Sequence, residues 1–234
     1  MTVLVGKQGN VAKAINQQTT SLNHACLTRV FMKNIMLRAG NVRLSVLDVN
    51  DVLKAVKSAY LSMQPRTYKK MRDNAEMNQM SKSNLLTDLA KRLVDFFKNN
   101  KINNQTDFDE WHKGVCGWFL PELNNVLNKS GYCGASYGKA QKIVNVAFKN
   151  LYMFDDADLY EDKFKLCHFI IDSANLKWYN SFANSKYSNA WSDMTDVDYS
   201  NIQNNIRNYL NSNNNYPSVP FYAEFYVWSD YYKW

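Results

Sequence analysis

The stretch that decides the fold is Ser136-Tyr-Gly-Lys-Ala-Gln-Lys-Ile-Val-Asn-Val-Ala-Phe-Lys-Asn-Leu151. Serine is a common helix N-cap, because its hydroxyl oxygen accepts a hydrogen bond from a free backbone N–H of the first turn. We therefore predict a helix that begins directly after Ser136 and ends near Leu151. Its apolar residues recur at the three- and four-residue spacing of one helix face. They are Ala140, Ile143, Val144, Ala147, Phe148 and Leu151.

A polar stripe runs along the other side of this helix, with Lys142, Asn145 and Lys149 separated by three and four residues. One interpretation is a binding stripe, since two cations and an amide could face a phosphate or a carboxylate together. The other is structural: both lysines lie in solvent, and Asn145 closes a buried hydrogen bond between helices. The candidate binding residues on this helix are Lys139, Lys142, Asn145 and Lys149.

Helical periodicity continues through most of the chain, which predicts a mainly α, single-domain multi-helix bundle of about eight or nine helices with little or no sheet. A basic helical layer spans about 1–100, and an aromatic-rich helical part spans about 101–234. Only 42–46 alternates like a strand, without a clear partner. Polar, basic 64–82 is predicted to be mobile or ordered by a partner. Four helices are predicted over 21–39, 48–63, 200–211 and 218–232. A further helix is predicted from a cap at Ser81 or Ser83 to 99, and another from a cap at Asp172 or Ser173 to Trp178. A helix capped by Thr106 is also predicted, and Pro121 either kinks it or begins a new helix.

Charge is unevenly distributed along the 234 residues, whose net charge is +7. Residues 1–72 contain twelve Lys and Arg and two Asp, whereas 151–234 contain six basic and eleven acidic residues. This asymmetry indicates either a polyanion-binding face or two surfaces that attract each other. The chain also contains thirty Asn, and enrichment in Asn and Lys can follow from genome composition alone. The leading prediction is a nucleic-acid-associated protein that binds DNA or RNA through a basic N-terminal helical surface containing Arg29, Lys33 and Arg38.

Cysteine usage and hydropathy indicate the cellular compartment, a reducing one. The four cysteines are scattered, no apolar leader opens the chain, and no apolar run reaches the roughly 18–20 residues of a membrane helix. We therefore expect a cytoplasmic protein with reduced cysteines, no contact with a membrane and no cofactor.

Two short motifs are assigned structural roles. His112 and Cys116 are four residues apart and could share a metal ion with Cys133 and the Cys167-His168 pair, but the spacing is not that of a zinc finger, so no metal is predicted. The run Gly134-Ala-Ser136-Tyr-Gly138 matches the Gly-x-Ser-x-Gly motif of serine hydrolases, which requires a strand before the serine. Since no strand is predicted there, Ser136 is expected to be a helix cap.

The run Cys167-His168-Phe-Ile-Ile-Asp172-Ser173, together with the preceding helix, resembles a family of uncharacterised bacterial proteins. In that family a Gly-x-Ala-Gln-Lys-x-x-Asn-x-x-x-Lys helix precedes a His-x-Pro-Ile/Leu-Asp-Ser segment, and Ile170 stands here in the position of the proline. The resemblance covers the C-terminal part of the chain. It implies a helical bacterial protein and does not imply a reaction.

An enzyme is the first alternative function. Asp172 could orient His168 as a general base, giving a hydrolase or phosphoryl-processing site that also uses Lys142 and Asn145. The competing interpretation makes Asp172 a helix cap. Whether the protein is an enzyme stays open at this point.

Aromatic density suggests the second alternative, a protein-interaction module that binds a partner or a second copy of the chain. The last sixty residues contain sixteen aromatic side chains, a density typical of core plus interface.

Overall fold

The computed structural model describes residues 43–63, 75–129 and 134–231. Within these ranges the chain forms eight α-helices, two 3-10 turns (Ala157–Tyr160 and Trp191–Asp193) and no strand, which confirms the mainly α prediction. The helix predicted over 21–39 lies outside the described residues. The helices are α1 Val49–Leu61, α2 Ala75–Lys98, α3 Gln105–Lys129, α4 Tyr137–Leu151, α5 Glu161–Phe164, α6 Ser173–Phe182, α7 Asp196–Ser212 and α8 Pro220–Tyr231.

Helix α4 lies at the centre of the fold, since thirteen of its fifteen residues are buried. It packs against α1, α3, α7 and the Trp191–Asp193 turn. Ser136 caps it as predicted, because its hydroxyl oxygen accepts a hydrogen bond from Lys139 N. Gly138 is required by the packing: a Cβ there would lie 2.0 Å from the carbonyl oxygen of Trp191. Gly138 N also donates to Met194 O (3.1 Å), so the segment leading into α7 crosses directly over α4.

Several helix starts differ from the prediction, and among them α7 begins at Asp196 rather than near 200. Helix α2 begins at Ala75 rather than at Ser81 or Ser83. Residues 75–82, predicted to be mobile or ordered by a partner, are therefore helical in the structure, and their Ala, Glu, Met, Gln and Lys favour a helix. Helix α3 is capped by Asn104 rather than Thr106, since Asn104 Oδ1 accepts a hydrogen bond from Asp107 N (3.0 Å). The same helix continues through Pro121 to Lys129 without a new start.

The segment before α1 is not a strand, although Leu44 and Val46 are buried as an alternating pattern suggests. Its backbone N–H groups instead donate hydrogen bonds to two carboxylates in the loop that follows α4. Asp155 Oδ2 accepts from Leu44 N (2.7 Å), and Asp156 Oδ1 accepts from Val46 N (3.0 Å). Ser45 Oγ also donates to Asp156 Oδ2 (2.6 Å). Side-chain acceptors therefore satisfy the N–H groups that a strand partner would otherwise bond.

The aromatic residues of the C-terminal part pack mainly on one another. Phe182 stacks on Tyr209 with 3.7 Å between ring centroids, and Trp178 contacts both rings. Among the described residues the exposed large hydrophobic side chains are Leu61, Leu159 and Val197, none of them aromatic. The described aromatic side chains of this part are thus buried or half-buried, and an interaction role for them stays a prediction. No helix in the described ranges is both long and apolar enough to cross a bilayer.

Candidate functional site

The predicted pairing of His168 with Asp172 is not formed. Asp172 caps α6, where its Oδ1 accepts hydrogen bonds from Ala174 N and Asn175 N, both at 3.1 Å. Its other oxygen lies 3.4 Å from Lys142 Nζ. This confirms the capping interpretation and leaves His168 to different partners.

His168 is held between Asp109 of α3 and Tyr199 of α7. Its Nε2 lies 2.7 Å from Asp109 Oδ1, and its Nδ1 lies 2.9 Å from Tyr199 Oη. The imidazole is buried in the segment between α5 and α6, so three separate parts of the chain meet at one ring. We call Asp109, His168 and Tyr199 the polar triad.

Asp109 is an anchored anion. Arg207 binds both of its oxygens, with Nη1 3.1 Å from Oδ1 and Nη2 2.8 Å from Oδ2, and Gln105 Nε2 donates to Oδ1 (2.8 Å). Burial alone would raise the pKa of Asp109, but hydrogen bonds from His168 and Gln105 and the charge of Arg207 hold this pKa well below its usual range. The carboxylate is therefore ionised throughout the neutral pH range.

His168 is a neutral base at neutral pH. Burial lowers its pKa, and the hydrogen bond and charge of Asp109 only partly oppose that effect. A neutral imidazole has one N–H and one free lone pair, so it can accept a proton.

A second buried polar group joins the polar triad from α4 and α3. Asn145 Nδ2 lies 2.8 Å from Tyr199 Oη, and Asn145 Oδ1 lies 2.9 Å from Nε2 of His112. Burial, reinforced by the charge that His168 can carry, holds the pKa of His112 well below its usual value. Asn145 thus closes a buried hydrogen bond between helices, as its structural interpretation predicts.

A cleft of about 140 Å³ opens above the polar triad. Because one water molecule occupies about 30 Å³ in the liquid, the cleft has room for a small group such as a phosphate or a carboxylate, with the rest of a ligand outside. Its lining carries two carboxylates, Asp109 and Glu110, and two cations, Lys113 and Arg207. Asp109 and Arg207 already contact each other. The lining includes Asp109, His112, Tyr137, His168, Tyr199 and Arg207.

The lysines of α4 do not form a stripe. Lys139 Nζ donates to Gly134 O (2.9 Å), Lys142 pairs with Asp172 and Lys149 pairs with Glu224 (2.6 Å). Lys149 is buried, so the prediction that it lies in solvent is wrong: other helices cover this face of α4. Arg29, Lys33 and Arg38, the remaining predicted binding residues, lie outside the described residues.

The described cysteines are buried thiols. Cys116 Sγ lies 3.8 Å from the His112 ring, and Cys167 Sγ donates to Lys163 O (3.6 Å). Burial raises the pKa of both thiols, so neither is a reactive thiolate. Within the ranges described, no group of three or more His, Cys, Asp and Glu residues is placed to hold a metal ion.

Sequence reasoning missed Asp109, Tyr199 and Arg207. A weak signal for them exists, because Tyr199, Gln203 and Arg207 follow one another at four-residue steps on one face of α7. Gln105 and Asp109 show the same step on α3.

Comparison with known protein families, characterised proteins and solved structures finds no match to the chain. The resemblance to the bacterial family therefore stays a prediction. Over the part of the chain that the structure describes, fold and site define a helical protein in which three segments assemble an Asp–His–Tyr arrangement beneath a narrow cleft.

Proposed function

We propose that the protein is an acid–base enzyme of the hydrolase or phosphoryl-processing class, with the polar triad as its centre. The observation that supports this is the connectivity Tyr199 Oη–His168 Nδ1 (2.9 Å) and His168 Nε2–Asp109 Oδ1 (2.7 Å). A hydroxyl, an imidazole and a carboxylate in this order are the parts of a nucleophile, its base and the group that orients the base.

The proposed chemistry assigns Tyr199 as the nucleophile. Burial raises the pKa of the Tyr199 hydroxyl, so the oxygen needs a base to take its proton as it attacks. Neutral His168 accepts that proton, and Asp109 stabilises the imidazolium that forms. Tyr199 Oη then bonds to the phosphorus or acyl carbon, the ester alkoxide leaves with the proton from His168, and water hydrolyses the tyrosyl ester. Arg207 supplies positive charge beside the reacting group.

We expect Tyr199→Phe and His168→Gln each to lower kcat/KM at least about 100-fold, the lower range for loss of a positioned proton acceptor. The assay uses the full chain with p-nitrophenyl phosphate, bis-p-nitrophenyl phosphate and p-nitrophenyl acetate between pH 6 and pH 9. Tyr209→Phe is the matched control, because the Tyr209 hydroxyl accepts from Asn213 (2.8 Å) and does not line the cleft. Absence of turnover of all three esters by the wild-type chain, or equal rates in all variants, would contradict the proposal.

We propose nucleic-acid binding through Arg29, Lys33 and Arg38 as a second function. The supporting observation is the location of the positive charge. The residues that the structure describes contain eighteen Lys and Arg against twenty Asp and Glu, whereas the rest of the chain contains ten against one. The net charge of +7 therefore comes from the other parts of the sequence, as expected if they attract a polyanion.

Replacement of Arg29, Lys33 and Arg38 by Gln is expected to weaken binding of labelled DNA or RNA and to reduce the slope of log K against log salt by about three. Fluorescence polarisation between 50 and 300 mM salt measures both quantities. The control triple variant replaces exposed Lys98, Lys101 and Lys186 by Gln. Binding that is absent, insensitive to salt or equally reduced in both triple variants would refute this function.

A further inference from the structure

The direction of each hydrogen bond around the polar triad can be derived from two backbone carbonyls. Gln141 Nε2 lies 2.8 Å from Gly138 O and 2.7 Å from Ile171 O. A carbonyl oxygen only accepts, so both bonds require the amide N–H₂ of Gln141 at this position. The Gln141 side chain cannot be turned over, and its Oε1 must face Asn145.

The orientation of the Asn145 side-chain amide is fixed by Gln141. Because Gln141 Oε1 is an acceptor, the group 3.0 Å away must be the amide N–H₂ of Asn145. The second N–H of Asn145 then donates to Tyr199 Oη (2.8 Å). Asn145 Oδ1 faces His112, whose Nε2 must therefore carry a proton.

The bond from Asn145 to Tyr199 in turn bears on the direction of the hydrogen bond between Tyr199 and His168. Tyr199 Oη accepts from Asn145, and its own proton has an acceptor among the described contacts when His168 Nδ1 is the unprotonated ring nitrogen. The other side of the ring gives the same result independently: Asp109 is an ionised acceptor, so His168 Nε2 carries the proton. Two unconnected constraints, one from the main chain and one from a carboxylate, select the same neutral tautomer.

We propose that Gln141 and Asn145 are positioning residues that fix the Nε2–H tautomer of His168 and direct the Tyr199 proton toward His168 Nδ1. The catalytic consequence rests on the proposed enzymatic function, whereas the tautomer does not. The arrangement leaves one lone pair of Tyr199 Oη without a partner among the contacts that the structure describes. A nucleophilic oxygen needs such a lone pair.

The test is a long-range ¹H–¹⁵N correlation spectrum of the full chain labelled with ¹⁵N-histidine at pH 7.5. We expect His112 and His168 both to give the pattern of the neutral Nε2–H tautomer, assigned by loss of one signal set in His112→Gln and the other in His168→Gln. A His168 ring that is protonated on Nδ1, or on both nitrogens, overturns the inference. Because this measurement uses the wild-type chain, it does not depend on the folding of a positioning variant.

The variant Asn145→Asp tests whether Asn145 is the residue that sets the tautomer of His168. The new carboxylate can only accept, so it takes the Tyr199 proton and leaves His168 Nδ1 without a donor. We expect the Nδ1 resonance of His168 to shift and kcat to fall about ten- to a hundredfold with little change in KM, as for a loss of alignment. The control is Asn180→Asp, because Asn180 bonds the backbone of Tyr187 in a different part of the fold. An unchanged His168 spectrum in folded Asn145→Asp would show that Asn145 does not set the tautomer.

The two proposals fail differently. Expected tautomers with no ester turnover would leave the positioning inference intact and remove the enzymatic function. Turnover that requires Tyr199 and His168, combined with a different tautomer, would retain the enzyme and remove the positioning role.

Discussion

Lys149→Met is expected to lower the free energy of unfolding by about 3–5 kcal/mol, the range for breaking a buried ion pair from one side. Lys149 Nζ lies 2.6 Å from Glu224 Oε2, with the two side chains 8% and 4% exposed. The ring centroids of Phe225 and Trp228 lie 4.8 and 4.9 Å from the same nitrogen. Methionine nearly keeps the volume of lysine but leaves the Glu224 carboxylate buried without its cation. Urea unfolding followed by circular dichroism measures the loss.

Two further variants separate the charge effect from packing. Lys149→Met combined with Glu224→Met removes both charges, and we expect it to recover most of the lost stability because no unpaired ion stays buried. Lys91→Met is the exposed control: its pair with Asp88 has side chains 59% and 53% exposed, so the change should stay within about 0.5 kcal/mol. A Lys149→Met variant as stable as Lys91→Met would show that the buried pair does not hold α8 against α4.

Local features of this fold could be predicted from the sequence, because a cap depends on a few neighbouring residues. Ser136 and Asp172 are both caps as expected, and helix α4 ends where its apolar spacing ends. The environment of Lys149 could not be predicted in this way. Its spacing from Lys142 is the same whether solvent or another helix covers that face, and only the position of α8 decides between the two.

The site shows a similar limit. The sequence left open whether Asp172 orients His168 or caps a helix, since the two residues are close together in the chain. Residues four apart face each other on an α-helix. The residues from Cys167 to Ile171 are not helical, and the helix starts only after Asp172. The actual partner, Asp109, lies fifty-nine residues earlier in the chain, so only the packing of α3 against this segment could identify it.

The free energy of unfolding is expected to fall as pH drops from 7 to 5, because two buried histidines are neutral in the folded protein. Burial lowers the pKa of His112 and of His168, while in the unfolded chain both regain a pKa near 6.5. Below pH 6.5 the unfolded chain therefore binds more protons than the folded chain, and acid favours unfolding. The stabilising contribution is complete above pH 6.5 and is lost as pH falls toward the folded pKa values.

The size of the effect follows from the same linkage. A histidine that stays neutral in the folded protein down to pH 5 contributes about 2 kcal/mol to the difference between pH 7 and pH 5. The groups facing His168 are Asp109, Tyr199, His112 and the charge of Arg207. Those facing His112 are His168, Asn145, Cys116 and the charge of Asp109. The pKa of Asp109 is lowered, so its own contribution is present above about pH 4 and is lost only in stronger acid.

Urea unfolding at pH 7, 6 and 5 measures how the free energy of unfolding changes with pH. This pH dependence can be compared between variants even where a variant is less stable at every pH. His112→Gln should lose the larger share of the pH dependence, because the pKa of His112 is lowered further than that of His168, and the double variant should lose nearly all of it. His24 is unchanged in every variant, so its titration cancels in the comparison. A wild-type stability that is equal at pH 7 and pH 5 would mean that both histidines accept protons in the folded protein. In that case the neutral His168 on which the proposed proton transfer depends would not exist below pH 6.5.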